Sequence, residues 1–162
     1  MANTSPISAE RNTHTINLYI DSVTVTRERE TVTVLAAWRT TGWAWYAWAN
    51  IHGTQVHSKK NSQSGKTNQA DSGTLTWSFP DSDRSAHTGS FSYNVGVQET
   101  SGGATPGASD TWTFQIPKAG PPVFLNLGGE IREAEGVYIN EGGEIREADA
   151  AFVNVGGEIV EA

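Results

Sequence analysis

Several stretches of this chain hold residue types at spacings that chemistry could use. SGKT at 64–67 has the ending of a phosphate-binding loop, in which backbone N–H groups cradle the phosphates beside a lysine. The first glycine of that loop would fall at Lys60, and TNQADSG follows instead of a helix, so this reading is rejected. DSDRS at 81–85 opens like a calcium loop, but Ala86 stands where the loop needs glycine and Ser92 where it needs glutamate. A turn between strands is the better reading. His14, His52, His57 and His87 lie on different segments, without HExxH spacing and without a thiol to complete a zinc site. Serines abound, yet none sits in a G-x-S-x-G elbow. The sequence therefore points to no catalytic residue, no metal ligand and no cofactor.

What remains is aromatic. In WAWYAWANI at 43–51, read as one strand, Trp43 and Trp45 project to one face and Tyr46 and Trp48 to the other. One face is expected to fill a core, as a central-strand tryptophan does. The other is a candidate binding surface, because aromatic rings stack on sugars and anchor protein interfaces at little entropic cost.

The elements that must position these residues show period-two alternation from Thr13 to Pro117. TINLYI aligns Ile16, Leu18 and Ile20; SVTVT offers Val23 and Val25; TVTVLAAW aligns Val32, Val34, Ala36 and Trp38. WAWYAWANI after a Thr41-Gly42 turn, GTLTWSF, GSFSYNVGVQ and DTWTFQI complete seven predicted strands. Turn signals separate them at Arg27 to Glu30, from Gly53 to Gly73, from Asp81 to Gly89, and in SGGATPGAS. No segment carries a helical period. The expected fold is all-β, an immunoglobulin-like antiparallel β-sandwich over 13–117, preceded by a flexible polar arm or docking strand at 1–12. KAGPP at 118–122 reads as a stiff linker.

Beyond the linker, residues 123–162 say one thing three times: VFLNLGGEIREA, VYINEGGEIREA and AFVNVGGEIVEA, at a period of 14 residues. Short strands around Gly-Gly predict a hairpin in each unit. With Gly142-Gly143 as the turn, Glu141 faces Glu144, Asn140 faces Ile145, Ile139 faces Arg146 and Tyr138 faces Glu147. Both faces are then partly apolar, and an isolated two-stranded hairpin of that kind needs a cover. The residues expected to supply it are Phe124, Asn126 and Ile131, their copies Tyr138, Asn140 and Ile145, and Phe152, Asn154 and Ile159. Three hairpins close into a prism within one chain, or three chains interleave theirs. The second is favoured, since so short a tail makes a thin core alone. The glutamates around Glu130 and Glu133 read as solubilising residues, not cation ligands.

Length and charge bound the rest. The 162 residues hold one ordinary domain and an appendage. A net charge of −7 opposes binding to nucleic acid or an anionic membrane. There is no cysteine, so packing alone must hold the fold. MANTSPISAERNTHT lacks a cationic region followed by an apolar one, hence no secretory signal is expected, and WAWYAWA is too short to span a bilayer.

The run NTHTINLYIDSVTVTRERETVTV, then WYAWANIHGTQVHSKK, then GTLTWSFPDSDRSAHTGSFSYNVGV resembles the strand and turn layout of minor tail and tail-fibre structural proteins of long-tailed phages. The x-N-x-G-G-x-I repeats resemble glycine-pair repeats at the ends of phage tail and head appendage proteins, although here Gly-Gly-Glu-Ile replaces a more basic Gly-Gly-x-Trp. The resemblance implies a non-enzymatic virion component, homotrimeric, assembled in the bacterial cytoplasm and exposed on the particle, with other virion proteins and a host-surface glycan as expected partners. A capsid decoration protein or head fibre uses the same parts. A carbohydrate-binding module with Trp43, Trp45, Tyr46 and Trp48 as its platform is the alternative from another class.

Overall fold

In a computed structural model the chain is described at residues 5–63, 65–100 and 102–120, and in the backbones of six short strands further on. It divides into two compact units, Met1–Pro117 and Lys118–Ala162. All regular structure among the described residues is β, in antiparallel sheets.

The first unit contains β1 (Ile7–Arg11), β2 (His14–Glu28), β3 (Thr31–Ala44), β4 (Tyr46–Ile51), β5 (Thr54–Lys60), β6 (Thr67–Asn68), β7 (Asp71–Pro80), β8 (His87–Gln98) and β9 (Gly107–Ile116). One sheet has the order β1-β2-β3, with β6 and β7 both paired to β3; the other has the order β5-β4-β8-β9. Their inward faces meet in one core. Ile16, Leu18, Ile20, Val32, Val34, Ala36 and Trp38 come from the first sheet, and Ala47, Ala49, Ile51, Phe91, Tyr93, Val95, Val97, Trp112, Phe114 and Ile116 from the second. The alternation in TINLYI and TVTVLAAW therefore marks faces that are buried. Burying each such aliphatic side chain contributes about 1.5–3 kcal/mol.

Three tight turns set the registers. Arg11 pairs with His14, Glu28 with Thr31 and Ile51 with Thr54, leaving two residues in each loop. The first of them, Asn12, Arg29 or His52, takes a φ of 52, 52 or 49°. Left-handed backbone at that position matches the twist of the flanking strands.

Several sequence expectations differ from the structure. TINLYI and SVTVT are one strand, β2, with a register shift between Ile20 and Ser22. Residues 7–11, read within a flexible arm, pair with β2 as β1 because Ile7 and Ala9 alternate inward and Asn12 turns the chain. Thr41-Gly42 is not a turn: β3 runs through it, and a Cβ on Gly42 would fall on the carbonyl oxygen of Thr15 across the ladder. Within the loop expected from Gly53 to Gly73 lie β5, β6 and the start of β7. β5 carries no strand signal in the sequence because TQVHSKK has no apolar alternation. It is an edge, and its Lys59 and Lys60 keep other strands from adding to it.

In the second unit β10 (Phe124–Leu127) pairs with β11 (Glu130–Glu133), β12 (Tyr138–Glu141) with β13 (Glu144–Glu147), and β14 (Phe152–Val155) with β15 (Glu158–Glu161). Phe124 stands opposite Glu133, Tyr138 opposite Glu147 and Phe152 opposite Glu161. Asn126, Asn140 and Asn154 stand opposite Ile131, Ile145 and Ile159. The three glycine pairs, Val137, Ala148 and 121–123 of the linker lie outside the described residues.

Candidate functional site

The aromatic stretch is a corner, not a strand. β3 ends at Ala44, the chain bends at Trp45, and β4 begins at Tyr46 in the other sheet. The core receives the three alanines of this stretch, Ala44, Ala47 and Ala49, together with Ile51, all fully buried. The tryptophans packed in the central cluster are Trp38 and Trp112, while Trp45 is buried at its margin. One aromatic face of this stretch is expected to fill the core; instead Ala44, Ala47, Ala49 and Ile51 pack inward, Trp45 alone of the four rings is buried, and Trp43, Tyr46 and Trp48 lie on outer faces. Across the ladder Ala47 and Ala49 stand beside Val97 and Val95, and Ile51 beside Tyr93.

The four predicted platform residues part company at the corner. Trp43 stands 57% exposed on the outer face of the first sheet, opposite Thr15. Trp45 is buried at the bend, where its backbone N–H donates to Nδ1 of the buried His14 at 3.0 Å. Tyr46 and Trp48 share the outer face of the second sheet, half-buried, with ring centroids 5.1 Å apart and planes tilted by 34°.

Around that pair the register lays out the neighbours in rows. Tyr46 lies between Lys60 and Gln98, and Trp48 between Ser58 and Gly96. Asn50 lies beside Asn94 and donates to its Oδ1 at 2.8 Å. Ser109 is opposite Asn94, Thr111 opposite Ser92 and Thr113 opposite Ser90. Gly96 is required here. A Cβ at 96 would sit within contact distance of three adjacent Trp48 ring atoms, Cζ2, Cε2 and Cη2. Three adjacent atoms, not one, meet that point, so the indole lies across the sheet instead of standing on it.

Lys60, the register partner of Tyr46, also walls a cleft of about 580 Å³, lined in part by Trp45, Asn61, Gln63, Glu99 and Thr100. The Lys60 ammonium sits 4.4 Å from the Trp45 ring centroid, a cation–π contact. Glu99 is held from the other side by Arg11 at 3.4 Å and by the Asn12 amide at 2.8 Å.

Compared with family models, with curated proteins and with solved structures, the chain matches none.

The other stretches that drew notice have structural partners. Around DSDRS the cation is internal. Arg27, its side chain 1% exposed, donates to the carbonyl oxygens of Arg29 (2.9 Å), Pro117 (3.2 Å), Asp81 (2.9 Å) and Asp83 (2.6 Å). Its Nη1 also lies 3.2 Å from Asp81 Oδ2. A guanidinium thus occupies the converging oxygens. The Asp83 carboxyl is held below its ordinary value, first by the Ser85 hydroxyl and then by the Ser85 N–H, with help from the charges of His87 and Arg27.

The histidines are engaged one by one. His52 stacks on Trp77 at 4.5 Å, and His87 Nε2 faces Asp81 Oδ2 at 3.3 Å. Buried His57 lies 2.9 Å from Gln69 Oε1 and 3.3 Å from Asp71 Oδ2. Gln69, fully buried, donates through Nε2 to the carbonyls of Ala44 and Thr67, while its backbone carbonyl accepts from Thr40 Oγ1 at 2.7 Å. Among the described residues no cluster of His, Asp and Glu is arranged to hold a metal ion. In SGKT, Gly65 to Thr67 lead into β6, and Lys66 donates to the carbonyl of Thr13 at 3.1 Å. No helix among the described residues is long and apolar enough to cross a membrane.

Proposed function

We propose that this chain is a non-enzymatic structural component of a bacteriophage virion, a minor tail, tail-tip or fibre protein. In this reading the first unit is an immunoglobulin-like β-sandwich that docks on the particle or meets the host surface. The second is an array of three β-hairpin repeats that joins three copies of the chain.

One observation carries the reading: the same strand register recurs three times at a spacing of 14 residues, with Phe124, Tyr138 and Phe152 each opposite a glutamate. A two-stranded pair of four-residue strands is marginal in water by itself. The register puts Tyr138 and Ile145 on one face of a pair and Ile139 on the other, so each pair needs a cover on both sides. Copies of the same unit supply complementary covers, and three chains supply more of them than one. The absence of cysteine suits a protein made in a reducing cytoplasm and deployed outside it.

The mass of the full chain in solution, set against that of a chain ending at Pro117, tests this. A trimer for the first and a monomer for the second is the expected result; monomers in both overturn the assembly. Gold-labelled antibody on virions is expected to mark the tail. Label on the capsid favours the decoration-protein or head-fibre reading, and its absence from particles overturns a virion role. The pairing of Tyr46 with Trp48 on one outer face favours a second reading, a carbohydrate-binding module.

A further inference from the structure

The outer face of β4, β5, β8 and β9 has the chemistry of a glycan surface. We propose that it binds a neutral polysaccharide, with one sugar ring stacked on Trp48, the next on Tyr46, and the following residues entering the cleft at Trp45 and Lys60. This inference rests on the contact-surface part of the reading above and not on the virion part.

The argument begins with Gly96. A tryptophan on an outer sheet face ordinarily leans among neighbouring side chains, but here position 96 has none, and the indole lies across the backbone. Gly107, opposite Gly96, continues the gap into β9. One ring face is therefore pressed on the sheet and the other is turned outward. A flat, outward π-face matches the C–H face of a pyranose, which carries little charge and gains from apolar contact. Tyr46 extends the strip by one ring, at 5.1 Å.

The surroundings match the sugar's other half. Positions flanking the strip are Ser58, Gln98, Asn50, Asn94, Ser92 and Ser109, all hydroxyls and amides that both donate and accept. Sugar hydroxyls need that mixture. Lys60 is the lone ionic side chain in these rows. Residues 1–117 carry nine Asp and Glu against eight Lys and Arg, so the unit has no cationic surplus to hold an anionic polymer, which favours the neutral class. The cleft, at about 580 Å³, falls in the size range of small-ligand sites, about 300–1,000 Å³. Lys60 belongs to both, as register partner of Tyr46 and as a wall of the cleft, and so joins the strip to the cleft.

The exposed Trp43 provides the control. It is the most exposed ring among the described large apolar side chains, yet it lies on the opposite sheet and has no part in this surface.

The test is affinity electrophoresis of the full chain in gels containing hydroxyethylcellulose, mixed-linkage β-glucan, galactomannan or soluble starch. Retardation in at least one gel is expected, with at least a tenfold loss of affinity in Trp48→Ala and in Tyr46→Ala, and no change in Trp43→Ala. Circular dichroism establishes that each variant is folded. No retardation in any of the four gels overturns the proposal, as does retention by folded Trp48→Ala and Tyr46→Ala, or an equal loss in Trp43→Ala. A chain that is retained but monomeric keeps this inference and ends the trimer reading, so the two fail separately.

Discussion

The guanidinium of Arg27 donates to the carbonyl oxygen of Asp83 at 2.6 Å, so a loop that reads as a cation-binding sequence is closed around a cation of the protein's own. Arg27 stands near the end of β2, and Asp83 lies in the connection from β7 to β8. Their meeting joins segments distant in sequence.

Replacing Arg27 by alanine is expected to destabilise the fold by about 3–5 kcal/mol, because it strands several carbonyls and the Asp81 carboxylate. Arg27→Lys recovers less than half of this, since one ammonium cannot match a planar fork with several donors. Urea unfolding of the three proteins measures both effects.

The depressed Asp83 carboxyl makes a prediction about acid. A group whose folded pKa lies below its unfolded value stabilises the fold above the unfolded pKa, and that contribution is lost as pH falls through the folded pKa. Ser85→Ala removes the largest cause of the depression, although the Ser85 N–H contact persists through the backbone. The Asp83 pKa is expected to rise toward its ordinary value. The fall in stability between about pH 5 and pH 3 should be shallower in the variant, the range in which free carboxyls titrate. Carbon-13 NMR titration of Asp83, with unfolding curves at each pH, reads both; an unmoved titration rejects the assignment.

Gly96 and Trp48 form a testable pair. Gly96→Ala is expected to cost about 1–3 kcal/mol as the indole is forced off the sheet. In Trp48→Ala the same glycine substitution should be tolerated, giving a coupling energy of about 0.5–3 kcal/mol in a double-mutant cycle. Additive effects would mean that the ring does not lie on Gly96.

Gln69→Leu keeps the volume and removes the hydrogen bonds. His57 loses the partner of its Nε2, and the carbonyls of Ala44 and Thr67 lose their donor. The expected loss is on the order of 3 kcal/mol, because each buried polar group left alone costs about 1–3 kcal/mol. Thermal unfolding measures it.

Alternation made the core strands legible: Ile16, Leu18 and Ile20 read as one face and are buried together. Corners were harder. WAWYAWANI carries no glycine or proline at its bend, and eight of its nine residues lie in strands, so the change of sheet at Trp45 left no local mark. Gly42 misled in the opposite sense, since its use is close approach to Thr15 and not a turn. Arg27 could not be read at all. Its partners, Pro117 among them, come near it only when both sheets have formed. The aromatic strip was half legible: alternation set Tyr46 and Trp48 on a face apart from Trp43 and Trp45, while only the fold puts Trp43 on the other sheet and buries Trp45.

The hydrogen bond from Arg27 to Pro117 also bears on how the fold carries load. Pro117 follows β9, an edge strand of one sheet, while Arg27 belongs to β2 in the other. A pull on the chain beyond Pro117 would, through β9 alone, peel an edge strand from β8 one ladder rung at a time. With the guanidinium in place, the tension passes to β2 as well. Both sheets then resist together, and the anchorage of the repeats is a property of the whole unit.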